Sequence, residues 1–214
     1  MGPARPAALA AAAALLLAAC GSDATGSDAE GVAATQSSVA SEPVDVANQG
    51  GSMEGHTPRG FAGSGTGLFA GDNLNPGFPD GDGIQLWLTF DLPTGTAAPA
   101  SAVLKSDALH VAGSPFEDLG VLRAEPVAYD DFSRELFDLA AAGPPADCEV
   151  IGETQLDCDV TSAVASAIEG GAQRVQFRLK FDRPGDDDGE KDLAMFFLTD
   201  SNTNEPGIFT LELG

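Results

Sequence analysis

The stretch IQLWLTFDL at residues 84–92 carries the alternation that decides the fold class. Every second side chain is apolar, and these are Ile84, Leu86, Leu88, Phe90 and Leu92. The opposite side of the extended chain carries Gln85, Trp87, Thr89 and Asp91. A period of two is typical of a β-strand that places one face on a core and the other in solvent. We therefore predict a strand over 84–92 with Trp87 on its polar face.

The stretch RVQFRLKFD at residues 174–182 repeats this pattern and predicts a second strand. Its core face is Val175, Phe177, Leu179 and Phe181, and its outward face is Arg174, Gln176, Arg178, Lys180 and Asp182. Weaker strands are predicted at 102–111, 119–127, 133–140, 193–199 and 208–213, and one helix at 161–169 with Asp159 or Thr161 as its cap. Many short strands and one short helix predict an all-β fold, an antiparallel two-sheet sandwich.

The N-terminal segment has the features of an export signal. Arg5 is its only charged residue, and the apolar run at 7–19 is shorter than the roughly 20 residues that a membrane-spanning helix needs. The tetrapeptide LAAC at 17–20 resembles the lipobox of bacterial lipoproteins, which implies lipid attachment at Cys20. An ordinary secretory signal is the alternative. Gly21 after the cysteine resembles outer-membrane sorting, so we expect a lipid-anchored protein of the cell envelope, at the outer membrane or cell surface.

Three regions follow from the composition. We expect a signal peptide at 1–19, a flexible acidic tether rich in Gly, Ala and Ser at 20–66, and a single β-sandwich domain at 67–214. The chain has 33 Asp and Glu against 10 Lys and Arg, a formal charge of -23. Such a surface repels phosphates, which excludes nucleic acid as a partner and leaves the N-terminal lipid as the contact with the membrane.

Four short segments together resemble DNRLRE-type jelly-roll modules of exported bacterial and archaeal proteins. They are 84–92, ASAVLK at 100–105, DVT at 159–161 before a small amphipathic helix, and VQFRL at 175–179. The chain departs from the family at 120–127, GVLRAEPV, which has no tryptophan, and the motif that names the family is absent. The resemblance implies a jelly-roll-like sandwich and a polysaccharide ligand.

The cysteines predict a disulfide rather than a metal or redox site. With Cys20 carrying lipid, Cys148 and Cys158 remain, and they are symmetric about Gly152-Glu153-Thr154. A tight hairpin would place them opposite one another in an oxidising compartment. Their spacing is not that of a redox-active pair, and no histidines accompany them at zinc-ligand spacing.

Two acidic loops are candidate calcium sites. Asp80 and Asp82 lie on a glycine-rich turn, and a second loop carries Asp186, Asp188, Glu190 and Asp192. Carboxylate oxygens without nearby His or Cys favour Ca²⁺ over zinc or copper, although neither loop has the spacing of an EF-hand. The alternative is that both are solvated acidic loops.

The polar faces of the two best strands are the candidate ligand surface. Trp87 could stack on a sugar ring beside Gln85, and Arg174, Arg178 and Lys180 could contact an acidic polysaccharide. The alternatives are that other parts of the chain cover Trp87 and that the cations pair with the protein's own acids.

No catalytic motif is present, and His110 in a strand-like stretch is interpreted as structural. The sequence thus predicts a binding or adhesion module, and the resemblance to DNRLRE-type modules implies carbohydrate as its ligand. A polysaccharide-processing enzyme using carboxylates and Ca²⁺, or a purely structural envelope lipoprotein, are the alternatives.

Overall fold

The computed structural model describes residues 43–45, 50–61, 68–73, 83–197 and 208–214. All of them belong to one compact unit, Ser38–Gly214. The predicted signal peptide, the predicted lipid-attachment residue Cys20 and the acidic pair Asp80 and Asp82 lie outside the described residues. Within the described part of the chain, no helix has the length and apolarity that crossing a membrane requires.

The described residues are mostly β-structure. The thirteen strands are β1 (Val44–Asp45), β2 (Gly51–Glu54), β3 (Thr57–Phe61), β4 (Leu68–Asp72), β5 (Ile84–Asp91), β6 (Ala102–Ser106), β7 (Leu109–Ala112), β8 (Leu122–Val127), β9 (Ala146–Ile151), β10 (Gln155–Asp159), β11 (Arg174–Phe181), β12 (Asp192–Phe196) and β13 (Thr210–Leu213). The helices are α1 (Pro115–Asp118) and α2 (Thr161–Glu169), with a 3-10 helix at Arg134–Asp138.

All strand pairings are antiparallel, and they join the strands into one curled sheet. Its order is β1-β13-β6-β10-β9-β8-β11-β5-β4-β12-β7, and the hairpin β2–β3 is added on β5. Apolar side chains from distant parts of the sheet meet in one core, where Phe90 of β5 and Phe177 of β11 share a cluster with Leu104 of β6 and Leu156 of β10. The prediction of an antiparallel all-β fold is confirmed at this level.

The two clearest sequence patterns form the strands that they predict. β5 and β11 pair directly, with Phe177 opposite Leu88, and the apolar face of each strand is buried. Helix α2 also has the predicted limits, but its N-cap is Val160 and not the predicted Asp159 or Thr161. The segment 102–111 forms two strands instead of one, because the chain turns at Ser106, whose hydroxyl accepts the backbone N–H of Ala108 at 3.3 Å.

The predicted strand at 133–140 is wrong. A 3-10 helix occupies Arg134–Asp138, and the consecutive residues Leu136 and Phe137 are both buried. A strand would send neighbouring side chains to opposite faces, whereas a helical turn can direct both toward one apolar cluster.

The predicted tether is wrong for residues 50–61. Strand β2 lies antiparallel to β5, with Gly51 opposite Trp87, and β3 pairs with β2. Glycine is needed at position 50 because φ is +127° and a Cβ there would collide with the carbonyl oxygen of Trp87. The glycine-rich composition of this stretch suggested a flexible linker. At Gly50, glycine instead allows the backbone to lie close to that of β5.

The predicted disulfide is present in the hairpin β9–β10. Cys148 and Cys158 are direct cross-strand partners, and their sulfurs are bonded at 2.01 Å. Both cysteines are buried, and both belong to the main core. The disulfide therefore fixes the register of β9 against β10, and β9 in turn pairs with β8.

A polar network fixes the start of α2 against β6. The hydroxyl of Thr161 donates to Asp159 Oδ1 at 2.6 Å, and the same carboxylate accepts the backbone N–H of Thr161 at 3.1 Å. The backbone N–H of Ala102 donates to Thr161 Oγ1 at 2.8 Å. These contacts hold the pKa of Asp159 below its usual value of 3.8. The hydrogen bond from the Thr161 hydroxyl has the larger effect, and the one from the Thr161 backbone N–H has the smaller.

We expect Asp159→Ala to destabilise the fold by at most about 1 kcal/mol at neutral pH, because the carboxylate is exposed and its hydrogen bonds to Thr161 compete with water. The pKa of Asp159 is lower in the folded protein than in the unfolded chain. Its contribution to stability is therefore complete above pH 3.8 and is lost as the pH falls through the pKa of the folded state. Urea unfolding from pH 7 down to pH 3 measures it. The exposed Asp107→Ala serves as control, and a difference for Asp159→Ala that persists undiminished at the lowest pH would contradict the assignment.

Candidate functional site

Trp87 is fully buried, so the interpretation of it as an exposed aromatic platform is wrong and the alternative, that other parts of the chain cover it, is confirmed. Its ring meets the ring of Tyr129 edge-on, with centroids 5.6 Å apart and an interplanar angle of 84°. Met53 of β2 and Leu136 and Phe137 of the 3-10 helix complete a second apolar cluster around it. The chain between β8 and β9 folds over this face, which therefore presents no surface for a sugar to stack on.

Buried polar side chains beside Trp87 satisfy one another. Gln176 Nε2 donates to Thr89 Oγ1 at 3.1 Å, and Thr89 Oγ1 lies 3.0 Å from the hydroxyl of Tyr129. The backbone N–H of Tyr129 donates to Gln176 Oε1 at 2.9 Å. Burial raises the pKa of Tyr129. The hydrogen bond with Thr89 lowers this pKa, but by less than burial raises it. The network ties the covering segment to β5 and β11.

Arg178 is a structural residue and not an exposed ligand contact. Its Nε donates to Glu125 Oε2 at 2.8 Å, a second guanidinium nitrogen also donates to that oxygen, and its Nη1 donates to the carbonyl of Phe137 at 3.2 Å. The guanidinium carbon lies 5.3 Å from the centroid of the Trp87 ring, a cation–π distance. Lys180 Nζ approaches the other oxygen of Glu125 at 3.2 Å. The prediction that Arg178 points into solvent is therefore wrong, and the alternative, pairing with the protein's own acids, is confirmed for Arg178 and Lys180.

Gln85 and Lys180 line a small depression of about 230 Å³ near the β11–β12 connection. Gln85 is half-buried, and its Oε1 has no hydrogen-bond partner. Neither residue lies near Arg174, which is at the other end of β11. The five residues of the predicted ligand face are thus divided among a buried cluster, this depression and a separate cleft.

Arg174 lines a cleft of about 700 Å³ between α2 and the strands β8 and β11. Small residues of the helix form one wall, including Ser162 and Ser166, whose side chains are exposed. The opposite wall includes the chain that leaves β8, with Tyr129 and Asp130. The cleft combines apolar surface with a few polar groups, and its volume is in the range of ordinary ligand sites.

A second depression of about 510 Å³ shares Ala172 and Arg174 with the cleft. Its lining includes Asp91, whose carboxylate lies 3.7 Å from Arg174 Nε, and Thr94 and Gln173. Arg174 therefore stands where the two hollows meet. An elongated ligand could occupy both and contact the guanidinium near its middle.

Three carboxylates converge at the N-terminal end of β12, which begins at Asp192. One oxygen from each of Asp118, Asp186 and Asp192 lies within 4.8 Å of the other two. Asp192 is 1% exposed, and its Oδ1 accepts the backbone N–H of Ser114 at 2.6 Å. The pKa of Asp118 is raised. Desolvation is the largest cause, and the negative charges of Asp192 and Asp186 add to it.

The structure brings together only part of the predicted calcium loop. Asp186 and Asp192 belong to the cluster, whereas Asp188 and Glu190 are exposed. Asp188 Oδ1 accepts the backbone N–H of Glu190 at 2.7 Å, which stabilises the loop itself. Asp118 was missed because it comes from α1, far away in sequence, and no local motif connects it with the acidic loop.

His110 has the structural role expected of it. Its ring stacks on that of Phe197 with centroids 4.2 Å apart and planes 7° apart, and its Nε2 lies 3.2 Å from the Phe197 carbonyl oxygen. It does not line the cleft beside α2.

Comparison with known proteins adds no relative. No protein-family model and no curated protein matches the chain. The similarity to DNRLRE-type modules therefore stays a resemblance of short segments.

Replacing Glu125 by alanine should destabilise the fold by about 3 kcal/mol or more, because Arg178 would keep its charge in the cluster around Trp87 without a carboxylate. Urea unfolding measures this cost. We expect the double variant Glu125→Met with Arg178→Met to recover much of it.

Lys180→Met is the matched control, since the Lys180 side chain is 37% exposed and its ion pair should contribute no more than about 1 kcal/mol. A cost for Glu125→Ala as small as that for Lys180→Met would show that Arg178 is not held by the buried pair.

Proposed function

We propose that this protein is a carbohydrate-binding or adhesion module of the bacterial cell envelope. In this proposal lipid on Cys20 anchors it outside the cytoplasm, at the outer membrane or cell surface. The lipobox-like LAAC after a short apolar run supports the anchor. The acidic composition supports a partner other than nucleic acid.

We further propose that the curled antiparallel sheet is a two-sheet sandwich of the jelly-roll type. The DNRLRE-like segments at 84–92 and 175–179 form β5 and β11, which are paired near the centre of the sheet. The DVT segment at 159–161 leads from β10 into α2. This arrangement supports the resemblance, although a fold by itself does not specify a ligand.

The observation that carries the proposed function is the cleft between α2, β8 and β11. Its volume of about 700 Å³ can hold more than one sugar ring, and the adjoining hollow past Arg174 extends it. Sugars combine apolar ring faces with hydroxyl groups. Ala163 and Ala167 supply apolar surface here, while Ser166, Asp130 and Arg174 supply donors and acceptors.

Binding fits this cleft better than hydrolysis does. Glycosidic cleavage usually requires two carboxyl groups on either side of the bond, about 5 to 10 Å apart. Asp130 is the one acid among the described residues that line the cleft, and Asp91 in the adjoining hollow is paired with Arg174. A binding module needs no such carboxylate pair.

The test is a glycan array of neutral and acidic oligosaccharides probed with the purified full chain. We expect saturable binding to at least one glycan. Ser166→Trp, which fills the cleft from an exposed helical position, should weaken that binding at least about tenfold, a loss of roughly 1.4 kcal/mol. Arg174→Gln should weaken it as well.

Matched controls are Glu169→Trp, an exposed position of the same helix outside the cleft lining, and Arg183→Gln, an exposed arginine away from the cleft. Both should bind as the wild type does. If no glycan binds, the ligand class is wrong. Equal binding by Ser166→Trp would place the site elsewhere, and release of reducing ends from a bound glycan would indicate a polysaccharide-processing enzyme.

A further inference from the structure

We propose that Asp118, Asp186 and Asp192 form a Ca²⁺ site that fastens the β7–β8 connection and the β11–β12 connection to strand β12. The three carboxylates come from separate parts of the chain: α1, the acidic loop and the first residue of β12. This site is separate from the cleft beside α2, with which it shares no lining residue, so the proposal does not depend on carbohydrate binding.

The unsatisfied oxygen of Asp192 is the first observation that points to a ligand. The residue is 1% exposed, and Oδ1 is occupied by the N–H of Ser114. The other oxygen, Oδ2, is buried and has no hydrogen-bond partner. A buried carboxylate oxygen without a partner is costly, since it has lost water and gained nothing in return. A bound cation would supply the missing interaction.

The surrounding charges give the second observation. Asp118 and Asp186, both half-buried, direct carboxylates to the same place as Asp192. Among the described residues, no lysine or arginine forms an ion pair with any of the three. Bringing three like charges together without a counter-charge opposes folding, and desolvation strengthens that repulsion. A divalent cation would turn this repulsion into attraction.

The oxygen separations agree with coordination of one ion. Calcium binds oxygen at 2.3 to 2.6 Å, so two ligands of the same ion lie at most about 5 Å apart. The three carboxylate oxygens fall within 4.8 Å of one another. Each carboxylate can contribute one or two oxygens, and water can complete the six to eight ligands that Ca²⁺ takes.

The donor set selects the type of ion. Oxygen ligands from carboxylates suit hard cations such as Ca²⁺, whereas zinc and copper favour His and Cys. Mg²⁺ demands a near-ideal octahedron at shorter distances and gives up its water reluctantly. Ligands from a buried strand residue, a one-turn helix and a loop provide the looser geometry that Ca²⁺ accepts. Extracellular calcium modules commonly bind with dissociation constants of about 0.1 to 1 mM.

The β7–β8 connection approaches the start of β12 closely at Gly113. Its φ is +72°, and a Cβ there would collide with the Lys191 carbonyl oxygen and with Asp192 Oδ1. This approach lets the next residue, Ser114, donate its N–H to Asp192 and begin the turn that carries Asp118. The carboxylate of Asp192 is thereby fixed in place before an ion binds.

The test measures Ca²⁺ alone on the purified full chain after treatment with EDTA. Thermal unfolding with CaCl₂ from 0 to 10 mM should raise Tm by roughly 5 °C, and calorimetric titration should give a saturable site of about 0.1 to 1 mM. Asp118→Asn and Asp192→Asn should each lose most of the Ca²⁺-induced shift. The asparagine at 192 can still accept the Ser114 N–H, and if that variant does not fold, Asp118→Asn alone decides.

Glu190→Gln is the matched control, because it removes one acid from the same loop at an exposed position outside the cluster. It should keep the full shift and the same affinity. The proposal is overturned if Ca²⁺ leaves the wild-type Tm unchanged, if MgCl₂ at equal ionic strength has the same effect, or if Asp118→Asn responds as the wild type does. Those last two results would indicate general screening of a very acidic protein.

Discussion

Burial of both faces of β5 is the constraint on which the rest of the structure depends. One face joins the main core through Leu86, Leu88 and Phe90, as an alternating strand should. The other face carries Trp87 and Thr89, which are also inaccessible to solvent. A second layer of chain must therefore cover that face, and a polar group beneath it is costly without a partner. The segment after β8 supplies the cover and contributes partners for Thr89 and Arg178, whereas the indole Nε1 of Trp87 is buried there without a hydrogen-bond partner.

The apolar face of each central strand could be predicted from the sequence, because a period of two is a local property of the chain. The covering layer could not. Tyr129 and Phe137 lie about 40 to 50 residues from Trp87 in sequence, and nothing local connects them. Gln176 and Arg178 alternate with apolar residues and so resemble a solvated face. Only their partners, Thr89 and Glu125, show that the face is internal.

The candidate sites were predictable to different degrees for the same reason. Cys148 and Cys158 lie within one hairpin, so their pairing follows from local symmetry. Asp186 and Asp192 are only six residues apart in sequence, at the β11–β12 connection and the start of β12, whereas Asp118 reaches them only through the tertiary fold. The cleft beside α2 is lined largely by serine, alanine and proline. Such residues have no recognisable functional pattern, and their arrangement as walls exists only once the helix packs on β11.

The position of β13 has a consequence for the timing of folding. This strand follows the other described strands in the chain, yet it lies between β1 and β6 inside the sheet order. Phe209 and Leu211 from this part of the chain are fully buried in the main core. The main core therefore cannot close until residues 209–211 have been synthesised and β13 is free to enter between β1 and β6.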